Sequence, residues 1–127
     1  MPRNRRIKVK DTNLNVKFSK SDYEKLQMIA DSIGGITLSS MIRILIYSQL
    51  DKVEKSKNPK DFLTLTNYKN DEPKTKVMNV KLSESDYKKI KDIANEIGLT
   101  ISGMIRLLIY SKLEKVDKSN ENTDFLN

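Results

Sequence analysis

Two short segments of this chain alternate apolar side chains with side chains that, Val77 excepted, can hydrogen-bond. The first reads Asn13-Leu14-Asn15-Val16-Lys17-Phe18 and the second Val77-Met78-Asn79-Val80-Lys81-Leu82. Amides donate and accept hydrogen bonds and ammonium groups donate them and carry charge, but both make poor nucleophiles and poor bases at neutral pH. Groups suited to that work are scarce here. The chain has no histidine and no cysteine, only 4 glycines, and neither a Gly-rich phosphate loop nor a G-x-S-x-G turn. Its carboxylates fall on mixed-charge helical faces, where solvation is their ordinary role. No catalytic residue, metal site or cofactor is therefore expected. What remains is recognition. Lys and Arg number 24 against 17 Asp and Glu, for a formal charge of +7, and that balance favours a polyanionic partner.

The elements that would carry these residues can be read from spacing. Strict alternation over five or six residues marks a half-buried strand, with Leu14, Val16, Phe18 and Met78, Val80, Leu82 facing inward. A helix follows each strand. Ser19 and Ser83 stand at its N-cap, with Asp22 and Asp86 three residues on, a variant of the capping box. Tyr23, Leu26, Ile29, Ala30 and Ile33 keep the 3-4 spacing of a helix face, as do Tyr87, Ile90, Ile93, Ala94 and Ile97. Gly34 and Gly98 end these helices. Thr37 and Thr100 then cap a second helix, apolar over more than half its circumference and so buried on several sides.

The whole unit occurs twice. With one gap at Gly34-Gly35, about 25 of roughly 40 aligned positions between residues 16–56 and 80–119 are identical. A unit of about 40 residues is too small to build much interior alone. No second strand follows either strand at hairpin distance. Each strand's most natural partner is therefore its copy, which gives a two-stranded antiparallel ribbon.

Strand, helix, turn, helix in duplicate resembles the ribbon-helix-helix family, the DNA-binding fold of the methionine and Arc repressors. The resemblance rests on Phe18-Ser19 and Leu82-Ser83 at the strand ends, on the Gly-x-Thr/Ser turn, and on Ser-x-Met-Ile-Arg at residues 39–43 and 102–106. It covers roughly 80 residues in two copies. The usual member is a homodimer of single-motif chains; the tandem form resembles regulators of archaeal viruses. The fold expected is mainly α with a two-stranded antiparallel β-ribbon, two ribbon-helix-helix repeats in one chain forming a pseudo-dimer. The expected divisions are a basic arm at 1–12, a first repeat at 13–56, a linker at 57–75, a second repeat at 76–119 and a tail at 120–127. The linker is long enough to allow pairing within one chain or exchange between two.

The resemblance implies that the ribbon enters the major groove of double-stranded DNA. Mapped residue by residue, base readout falls to Asn13, Asn15, Lys17, Val77, Asn79 and Lys81. Asn can pair with adenine N6 and N7, Lys can donate to guanine, and Val can cover a thymine methyl. Phosphate contact is expected at the second helix of each repeat, through Thr37, Leu38 and Ser39 and through Thr100, Ile101 and Ser102, where free N–H groups and the helix dipole make an anion site. The Ser39 and Ser102 hydroxyls are expected to add a bond each. Arg3, Arg5 and Arg6 of the arm are expected to follow phosphates or a minor groove. Arg43 and Arg106 stay outside the readout set, being equally suited to ion pairs with a neighbouring helix.

The function expected is that of a sequence-specific transcriptional regulator, a repressor, reading an imperfect inverted repeat. The alternatives are an antitoxin-type autoregulator, disfavoured by the short tail, and a helical protein–protein adaptor, which leaves the Asn/Lys strand faces unexplained. Asp61-Phe62-Leu63 and Asp124-Phe125-Leu126 recur at one offset. They are expected to dock on the core, with self-association on DNA as the sharper alternative. No apolar stretch can span a bilayer and the arm has no signal-peptide core, so an intracellular protein without membrane or small-molecule partners is expected.

Overall fold

The computed structural model describes residues 11–56, 58, 68 and 71–126. Strand β1 (Asp11–Phe18) leads into helices α1 (Lys20–Ile33) and α2 (Leu38–Ser56). Strand β2 (Lys76–Ser83) leads likewise into α3 (Glu84–Ile97) and α4 (Ile101–Ser119), and a 3-10 helix closes the chain at Asn122–Leu126. The molecule is mainly helical with one two-stranded sheet, as expected. Arg3, Arg5, Arg6 and Phe62 lie outside the described residues.

The strands pair antiparallel from Asp11 opposite Ser83 to Phe18 opposite Lys76, with Asn15 facing Asn79 at the middle. Strand β1 starts at Asp11 rather than Asn13, because Asp11 and Thr12 pair with Ser83 and Leu82. Alternation decides the faces. Leu14, Val16, Phe18, Met78, Val80 and Leu82 are all buried, and every intervening residue from Asn13 to Lys17 and from Val77 to Lys81 is exposed. A one-residue slip of either strand would turn its three apolar side chains to water. At roughly 1.5–3 kcal/mol for each buried aliphatic or aromatic side chain, the register is strongly fixed.

The helices are punctuated where the sequence indicates. The Asp22 and Asp86 N–H groups donate to the Ser19 and Ser83 hydroxyls. Gly98 takes the left-handed conformation at φ 78°, whereas the first repeat spends two glycines, Gly34 at φ 83° and Gly35 at φ 64°. The chain then bends by 85° into α2 and by 88° into α4. Both second helices bury residues all along their length, including Met41, Leu45, Ile46 and Leu50 and their counterparts Met104, Leu108, Ile109 and Leu113. One cluster joins these to the inner face of the ribbon and to Leu26, Ile29, Ala30, Ile90 and Ala94. Among the described residues no single helix is long and apolar enough to cross a membrane.

The C-terminal 3-10 helix and Tyr68 also pack against this core. The 3-10 helix buries Phe125 completely, so the second Asp-Phe-Leu segment docks on its own chain. Tyr68 lies over Tyr110, with ring centroids 5.2 Å apart, and donates its hydroxyl to buried Asp22. Phe18 meets the same Tyr110 edge-on.

Candidate nucleic-acid interface

The ribbon's outer face is set by register. Asn15 and Asn79 are opposite each other at its centre, and the Asn79 Nδ2 group donates to Asn15 Oδ1 at 2.8 Å. This bond holds both side-chain amides in one orientation while leaving the Asn15 NH2 group, one Asn79 Nδ2 N–H and the Asn79 Oδ1 for other partners. Towards one end Asn13 lies opposite Lys81, and towards the other Val77 lies opposite Lys17. All six side chains expected to read bases therefore share one exposed face. The two ends differ, amide and ammonium at one, isopropyl and ammonium at the other. Val77 is 52% exposed, which is unusual for an apolar residue on an otherwise polar strand face.

The second helices approach the ribbon by their N-termini. Thr37 Oγ1 accepts from the Ser40 N–H, and Thr100 Oγ1 from the Gly103 N–H, so both threonines cap as expected. The first two N–H groups of each helix, at Leu38 and Ser39 and at Ile101 and Ser102, have no acceptor among the described residues. The serine hydroxyls are spent differently from the expectation. Ser39 donates to the Asn79 carbonyl at 2.9 Å, and Ser102 donates to the Asn15 carbonyl at 3.1 Å. Each hydroxyl thus ties a helix N-terminus to the centre of the opposite repeat's strand. Its one proton is then committed, and a phosphate contact at this position falls to the backbone N–H groups.

Arg106 is a contact that spacing did not foretell. Its Nε group donates to the Lys17 carbonyl at 3.0 Å, rather than to a carboxylate. The bond fastens α4 to the exit of β1 at Lys17, one of the two lysines of the ribbon's outer face. Arg43, the matching residue of the first repeat, makes no such bond among the described residues. Nothing local in the sequence distinguishes the two arginines; the difference lies in how each helix meets the far strand.

The arrangement is chemically consistent with what the residue types allow. The described residues contain no cluster of acidic side chains able to hold a metal ion. The ribbon offers amide donors and acceptors, two ammonium groups and an exposed methyl surface in a row, flanked by two helix N-termini whose dipoles favour an anion. A comparison with family models, with curated proteins and with solved structures found no match.

Proposed function

We propose that this chain is a sequence-specific double-stranded DNA-binding regulator of transcription, a repressor. In this reading its two strand-helix-helix units form a ribbon-helix-helix pseudo-dimer. Pairing of Asn15 with its own repeat equivalent Asn79, and the matched Ser39 and Ser102 bonds across the repeats, support that arrangement. The observation that carries the function is the ribbon face itself. Six exposed side chains able to read bases stand above six buried apolar ones, with no packing role of their own.

The ribbon lies in the major groove, where Asn15 and Asn79 address the central base pairs. Asn13 with Lys81 and Val77 with Lys17 address the two halves. The N-termini of α2 and α4 grip phosphate on either side and set the register of the ribbon. Because the two ends of the ribbon differ, the target is an imperfect inverted repeat, with a thymine methyl favoured under Val77. Interference footprinting tests the groove. Methylation at guanine N7 within the site should abolish binding, and a minor-groove ligand should leave the core contact intact. The reverse pattern would rule out ribbon readout.

A further inference from the structure

The seat that Tyr68 fills has a twin. Tyr68 rests on Tyr110 of α4 and bonds Asp22 of α1, while Lys25 stands 5.2 Å from its ring centroid and pairs with Asp117. The repeat carries each of these residues across. Tyr110 becomes Tyr47, Asp22 becomes Asp86, Lys25 becomes Lys89, and Asp117 becomes Glu54. The second set assembles in the same way, with Lys89 paired to Glu54 at 3.0 Å. Among the described residues, however, nothing sits on it. A cleft of about 220 Å³ opens there, lined by Tyr47, Leu50, Asp51, Glu54 and Asp86. Tyr47 is 41% exposed where Tyr110 is 8%. Asp86 is half-buried where Asp22 is fully buried.

We propose that this cleft binds a tyrosine side chain, carried beside a lysine on an extended segment of a partner protein. The filled twin supplies the chemistry. A phenol ring covers the tyrosine of the second helix and its hydroxyl donates to the aspartate at the start of the first helix of the other repeat. The cleft is smaller than the roughly 300–1,000 Å³ of sites for drug-sized ligands and suits one side chain. Its rim holds three carboxylates, of which Asp51 pairs with Lys55 and Glu54 with Lys89, so acids still outnumber their cations at the rim and a positive neighbour on the incoming segment is favoured. Tyr68 is itself followed by Lys69. The inference concerns a surface away from the ribbon and stands whether or not the chain binds DNA.

The probe is a capped synthetic peptide of residues 65–71, Leu-Thr-Asn-Tyr-Lys-Asn-Asp, titrated into the intact protein and followed by amide NMR shifts. Saturable shifts are expected at Tyr47, Asp51 and Asp86, with about tenfold weaker binding by the Tyr68→Phe peptide, the loss expected for a hydrogen bond to a charged acceptor. Asp86→Asn protein should weaken binding similarly, and its unchanged spectrum elsewhere would confirm that it folds. Absence of saturable shifts would overturn the proposal. So would shifts confined to Tyr110 and Asp22, which would mean that the peptide only displaces the chain's own Tyr68. Concentration-dependent dimerisation abolished by Tyr47→Ala would assign the cleft to a second copy and would equally overturn it.

Discussion

Burial gives Tyr68, Tyr110 and Lys112 a pH response of their own. Burial, then the bond to Asp22, raises the Tyr68 pKa above the ordinary 10.0, and burial raises that of Tyr110. Above pH about 10 the unfolded phenols ionise while the folded ones hold their protons, so stability falls as pH rises further. Lys112 acts in the opposite sense. Burial, aided by repulsion from Lys115 and Lys52, lowers its pKa from 10.5 to about 8. Between those values the unfolded chain binds a proton that the folded chain has released, so stability rises with pH across that window. Replacing Lys112 by Met should stabilise the protein at pH 7 by about 1–2 kcal/mol and remove this rise; denaturant melts from pH 7 to 10 would show it. Tyr68→Phe should cost about 1–3 kcal/mol at neutral pH, because Asp22 loses its hydrogen bond while buried, and should flatten the alkaline decline. Neither residue declared itself in the sequence. Asp22 reads there as an N-cap helper, and its phenol partner lies 46 residues away. Lys112 occupies the place of Gln49 in the repeat, a substitution whose burial only the packing of α4 reveals.

Among the elements, the legible parts were those written in local chemistry. Alternation gave the two strand faces, and Ser19, Ser83, Thr37, Thr100, Gly34 and Gly98 gave the helix ends, because caps and turns act within three or four residues. The joints between elements were not legible, since they depend on where strands and helices meet. Ser39 and Ser102 fit a helix start in the sequence, and only the structure shows them bonded to the opposite strand's central carbonyls. The repeated Asp-Phe-Leu segment points to docking of Phe125, but not to the 3-10 helix behind the left-handed Asn120 cap that carries it. Ser39→Ala with Ser102→Ala should lower stability by about 1–3 kcal/mol in thermal melts. The same double variant should weaken DNA binding beyond that loss, because the helix N-termini proposed to contact phosphate would no longer be held in register with the ribbon. Gly98→Ala should cost about 1 kcal/mol through its left-handed backbone and leave DNA binding unchanged once the protein is folded.

As a whole molecule, the protein is a near-duplicate that departs from symmetry in specific places: Asn13 against Val77 and, among the described residues, the Arg106 bond without an Arg43 equivalent and a filled tyrosine seat beside an open one. Symmetry of the repeat was plain from sequence, while most of these departures required the fold. The N-terminal arm adds a further one. Removing Arg3, Arg5 and Arg6 together should make the salt dependence of DNA binding shallower by up to roughly 3 units of log–log slope, measured by anisotropy titrations at several salt concentrations. The central claim is that the ribbon face reads base sequence. Selection of duplexes from a random pool tests it most directly, with wild-type protein beside an Asn15→Ala/Asn79→Ala/Lys81→Ala variant that keeps its fold. The account predicts a short, imperfectly symmetric motif enriched by the wild type and lost by the variant. No enriched motif, or one that the variant selects equally well, would contradict it.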